Sequence, residues 1–239
     1  MTVINVIPED LLQFPAPEST KSYLGISHSY LFDMAQNIGV EAGFEYKSCH
    51  IEMQKDGTRA FMKLFFEQPN AVYPFFIGVR STYDKSARVA LASGSCVMVC
   101  ANLCVFGDDM IILRKHTPNA LTDLDDLATR MKLKAKDRYD KVVNFCNRIK
   151  DVPVSDEQGK MIIGASLGKG ILTHGVYKDA MKHWYAPPFE EFENEKNLWG
   201  VYNAMTYGAH KAPVNKKLSV NVAISDFIKK VMDKEKVLL

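Results

Sequence analysis

Three of the five cysteines, Cys96, Cys100 and Cys104, recur at four-residue steps, and His116 follows shortly after. With Asn102 and Asp84 nearby, Cys100 and His116 supply the ingredients of thiol nucleophilic catalysis. The run from Cys96 to Phe106 is almost wholly apolar, however, and a reactive thiol needs an exposed electropositive setting. No residue is therefore assigned a catalytic role, and an enzyme is the less favoured class. A zinc site from Cys96, Cys100, Cys104 and His116 has acceptable gaps, but these repeat evenly in apolar surroundings. The five thiols include no Cys-x-x-Cys pair, so reduced, mostly buried cysteines are expected, with no metal and no cofactor. Gly164 to Gly170 invites comparison with a phosphate-binding loop, yet it lacks the required spacing and follows a predicted helix where a strand is needed.

The cations are the second chemical feature. Arg80, Arg88, Arg114, Lys115 and His116 lie near predicted strand ends, with Tyr83 among them. From Arg130 to Lys150 there are eight basic residues against two aspartates. Single-stranded nucleic acid requires cations along its backbone and flat side chains under its bases, and these residues, with Lys132, Lys136 and Arg138 of the basic run, can provide both. The competing reading pairs Arg80 and Arg114 with Asp84 and Asp108 to hold loops, and leaves the basic run as a solvated helix face.

The elements that would position these groups are legible to different degrees. Residues 1–239 are read as one α+β domain: an extended arm over 1–26, a helix and sheet over 27–117, and a mostly helical part over 118–239. Ser27 or Ser29 caps a short helix that Gly39 ends, with His28 at the cap bonding backbone. Asp56-Gly57 between Ser48–Gln54 and Thr58–Phe66 predicts a hairpin, and Tyr73 to Arg80 a third strand. Helical or irregular structure is expected up to Gly94, then one strand buried on both faces from Cys96, then a turn at Gly107-Asp108-Asp109 and a returning strand from Met110 to Arg114. A rival reading sets Cys96, Cys100 and Cys104 along a helix. Together these make an antiparallel or mixed sheet of about five strands.

Thr122 with Asp125 offers a helix start, after which Leu124, Ala128, Met131, Ala135, Tyr139, Val142, Cys146 and Ile149 recur at helical spacing until Pro153. This long amphipathic helix would run roughly 40 Å. Ser155 caps a further helix; His174 to Tyr185, Asn197 to Gly208 and Val220 to Lys236 predict three more. Hydrophobic residues are 47% and charged residues 24% of the chain, as in ordinary globular proteins, and the net charge of +2 decides nothing. The apolar runs fall short of the roughly 20 residues a membrane helix needs, and Met1 to Thr20 reads as no signal peptide, so a cytoplasmic protein without membrane contact is expected.

Several separated motifs, Ser27-His28, Lys55-Asp56-Gly57, Ser81 to Ser86, Val99 to Leu103, Arg114 to Thr117 and Leu198 to Thr206, occur in an order that resembles the phage- and plasmid-borne proteins of domain-of-unknown-function family 932. Ala101 departs from the more polar residue expected there. The resemblance implies a mobile-element setting, phage above all, and no activity. A hairpin, a third strand and a long basic helix also resemble, in element order, the core of single-strand-annealing proteins. The leading expectation is a phage accessory protein binding nucleic acid in recombination or replication, in the host cytoplasm. The alternative is an inhibitor that binds a host defence protein complex. Self-association fits either.

Overall fold

The Asp56-Gly57 pair turns the chain where alternating segments on either side predict a hairpin. In the computed structural model, which describes residues 2–68, 73–97, 102–104, 111–188, 190 and 196–238, Gly57 takes a positive φ of 70° there, a conformation side chains with a Cβ disfavour. The hairpin joins β2 (Glu45–Gln54) to β3 (Arg59–Glu67), and β4 (Phe75–Thr82) adds to β3 in antiparallel register, with Phe61 opposite Arg80.

The fold is α+β, and the seven strands among the described residues belong to one antiparallel sheet. The expected count of five falls short for two physical reasons. The first residues are no mere arm: β1 (Val3–Val6) pairs along β2, and a 3-10 turn at Pro8–Gln13 buries Leu11 beneath it. On the far side, β5 (Val89–Val97) pairs with two short strands in succession. β7 (Ile111–Arg114) takes its first half and β6 (Asn102–Cys104) its second.

β5 also corrects the reading of the stretch before Gly94. The alanines and serines there have no strong strand preference, but β4 on one side and β6 and β7 on the other satisfy the backbone, so pairing overrides propensity. Nor does one strand run on from Cys96, because β6 returns antiparallel to β5, with Cys96 opposite Leu103. The helical cysteine stripe is excluded by the same register; Cys100 and the Gly107-Asp108-Asp109 turn lie outside the described residues.

α1 (His28–Glu41) starts where Ser27 accepts the Tyr30 amide at 3.1 Å. It runs through Gly39, contrary to expectation. Gly39 is a close approach to the sheet: a Cβ there would sit 2.2 Å from the Phe66 ring. α2 (Ala120–Lys150) is one unbroken helix of 31 residues, about 46 Å long. It begins ahead of the Thr122-Asp125 pair, and the Asn119 side chain makes no capping bond.

The two sides of the sheet are covered differently. Met62, Leu64, Phe66, Phe75, Ile77 and Val79 pack under α1 and the first half of α2, where Leu124, Met131, Ala135 and Tyr139 are buried. The opposite side, with Phe61 and Phe76, is covered by Val214 and Leu218 at the start of α6 (Lys217–Leu238). The second half of α2 leaves the sheet, and its Val142, Phe145, Cys146 and Ile149 enter a core shared with α3 (Asp156–Gly168), α4 (His174–Tyr185), α5 (Leu198–Gly208) and α6. α2 is thus common to both cores. Among the described residues no helix is long and apolar enough to cross a membrane.

Candidate nucleic-acid interface

β4 leaves the sheet at Thr82, turns through Asp84 to Arg88 and returns as β5, whose first residue Val89 is paired with Arg114, the last of β7. This register alone brings Arg88, Arg114 and Lys115 to one end of the sheet. Arg88 and Lys115 are exposed. Arg114 lies 3.4 Å from Asp123 at the start of α2, so it is partly neutralised. Lys85, which sequence reasoning passed over, is exposed at the tip of the same turn, with a positive φ of 59° and its ammonium 4.5 Å from the centre of the Tyr23 ring.

Beneath this rim is a hydrogen-bonded knot in which three of the separated motifs meet. The His28 ring is fully buried, with Nε2 2.9 Å from the Gly57 carbonyl and Nδ1 2.7 Å from Ser81 Oγ. A carbonyl only accepts, so Nε2 carries the proton and Nδ1 accepts from Ser81. Burial pushes the imidazole down to about 4, although the Gly57 bond opposes this; nearby His116 adds to the lowering. The Tyr83 ring stacks on His28 at 3.9 Å, and its hydroxyl accepts the His28 amide and donates to the Phe14 carbonyl. Tyr83 is therefore a clasp, with one ring face taken, and no open platform for a base.

His116 is also inside, 7% exposed, with Nδ1 2.9 Å from the Leu24 carbonyl and its ring stacked on Tyr23. Its Nε2 and the Tyr23 hydroxyl are buried without a hydrogen-bond partner. It holds the segment of Leu24 against the exit of β7, with its ring enclosed.

Arg80 faces the other side of the sheet. It is 8% exposed and donates to the Arg88 and Asn215 carbonyls, bracing the turn that carries Arg88. It does not pair with Asp84. That carboxylate belongs to Arg59 at 2.6 Å; partial burial opposes ionisation, but bonds from Arg59 and Ser86 hold it below the usual range. Asp108 lies outside the described residues. Near Arg80, Glu52 is ion-paired with Lys217 at the start of α6. Burial opposes its charge, but bonds from His50 and Lys217 hold it down to about 2.

The helix cations are elsewhere. Lys132, Lys136 and Arg138 lie 12 to 18 residues beyond the start of α2, some 18–27 Å along its axis, with Asp123, Asp125 and Asp126 between them and the sheet end. Lys132 is bound to Glu41 of α1 at 2.5 Å. Arg138 lies 3.9 Å from Asp137 and its Nε is buried. Lys136 runs beside Gly43. Lys141 also pairs with Asp137, and Lys150 lies over the Tyr73 and Trp199 rings. Much of this face is engaged within the molecule.

For the thiol chemistry, Asp84 is held by Arg59, His116 is enclosed and Cys100 lies outside the described residues. Cys146 is buried in the helical core. Among the described residues no three histidine, cysteine or acidic side chains are gathered as metal ligands. Comparison of the chain with protein-family models, curated proteins and solved structures gives no match, so the likeness to family 932 rests on the motifs alone.

Proposed function

We propose that the protein is a phage or mobile-element accessory factor that binds single-stranded nucleic acid at the Arg114 end of its sheet. The supporting observation is the convergence of Lys85, Arg88 and Lys115, exposed and without a carboxylate partner among the described residues, beside the half-neutralised Arg114. The knot around His28 and the Arg80 brace fix the turn that carries two of them. Backbone phosphates, more than bases, are the groups this surface suits, since Tyr83, Tyr23 and His116 already spend their rings on each other, on His28 and on Lys85.

The test is anisotropy of a labelled oligothymidine across a salt series. Three phosphates neutralised on a single strand predict a log–log slope of about −2. Charge reversal at Lys85, Arg88 and Lys115 together should weaken binding at least roughly tenfold at low salt and flatten that slope, whereas reversal at Lys134 and Lys136 should leave both nearly unchanged. No binding at low salt, or binding indifferent to the sheet-end variant, sinks the proposal.

The second reading, an inhibitor of a host defence complex, has its own support. β1 is an edge strand with Val3, Ile7 and Leu12 exposed at 45%, 59% and 75% along and beyond it, and an open apolar edge can accept a strand from a partner. Capture of one host protein that survives nuclease treatment, and is lost on Val3→Lys, would favour it.

A further inference from the structure

The stretch compared above with a phosphate-binding loop borders a groove, to which it contributes Ala165 and Lys169. Met161, Ile162 and Ala165 of α3, with Ile171 just beyond it, face Ala223, Phe227 and Val231 of α6 across a groove of about 570 Å³. That is within the range of small-molecule sites, and its walls are mainly apolar as such sites are. Met161 is 71% exposed at its edge, a flexible, polarisable side chain able to fold over a bound chain.

The groove also has charged residues in its lining. Lys169 and Lys230 are exposed at its rim, and neither has an ion-pair partner among the described residues. Asp226 also lines it, half-buried and already engaged in an interaction of its own. Along α3 and its C-cap the lining runs from Met161 to Lys169, eight helical steps, or about 12 Å. That is the length of a medium acyl chain, and two exposed lysines in the lining suit a head group of negative charge.

We propose that this groove binds a monoanionic amphiphile with a single medium-length alkyl chain, independently of the nucleic-acid surface. The apolar walls take the chain, and Lys169 and Lys230 outweigh Asp226 at the head group. A neutral or cationic head group gains nothing from that rim and leaves a lysine facing it.

The probe is decanoate, read by the methyl resonance of Met161 in protein labelled at its methionine methyl groups and assigned with Met161→Leu. Decanoate should shift that resonance saturably, and decyltrimethylammonium should bind at least roughly tenfold more weakly, a difference of the size expected for charge-assisted contacts. Lys169→Glu with Lys230→Glu should reverse the order. Ala165→Trp with Ala223→Phe should abolish the shift, and the unperturbed resonances elsewhere report whether that variant is folded. An unmoved Met161 methyl, or equal binding of decanoate, decanol and the cationic amphiphile, overturns the proposal. So does concentration-dependent dimerisation that broadens the Met161 methyl without ligand, since a second copy would then fill the groove.

Discussion

His28 illustrates how one side chain carries information from four parts of the chain: the cap of α1, the Gly57 turn, the end of β4 and the Phe14 carbonyl through Tyr83. Its burial has a pH consequence. The folded imidazole titrates near 4, below the ordinary 6.5, so the unfolded chain takes up its proton first as pH falls. The stabilisation is complete above about pH 6.5 and is lost through the window from 6.5 to 4, by about 1.4 kcal/mol for each pH unit. His210, lowered to about 4 by burial and then by Lys63 and Lys217, adds a similar slope. His183 is lowered by burial as well, so urea unfolding of His28→Gln between pH 6.5 and 4.5 should show a shallower pH dependence than the wild type without abolishing it. An unchanged slope would mean that the imidazole is charged in the folded state.

At the scale of the element, α2 was the best-determined feature of the sequence, and seven of its eight apolar-stripe residues are buried, with Ala128 partly so. Charge was less legible than hydrophobicity. Arg138 reads as a surface cation from its type, but its place on the helix is at the edge of the buried stripe, and its Nε is enclosed. Arg138→Glu should lower the melting temperature by roughly 4–8 °C, corresponding to about 2 kcal/mol in a chain of this size, while Lys136→Glu should shift it by less than about 2 °C. Equal, small shifts in thermal unfolding would show that Arg138 is as solvated as its neighbours.

At the scale of the molecule, α6 is held to the sheet by an ion pair with little exposure, Glu52 with Lys217, whose side chains are 13% and 11% exposed. Removing one partner strands the other in a dry site, so Glu52→Gln should cost about 3–5 kcal/mol by chemical denaturation, against near neutrality if the pair were solvated. Glu52→Gln with Lys217→Met should recover part of that loss. Neither partner could have been matched from the sequence, because 165 residues separate them and only the packing of α6 on the second side of the sheet brings them together. The hairpin, the third strand, the long helix and the capped helices after it were all written in local signals: a turn glycine, an alternation, a stripe, a serine before a helix. Those signals act over a few residues, and the sequence by itself determines them. The path of β5 through alanines and serines, the promotion of the first residues to an edge strand, and the division of cations between enclosed braces and an exposed rim were decided by the tertiary structure. Strand pairing and burial depend on partners far along the chain, and no local preference records which partner a residue will meet.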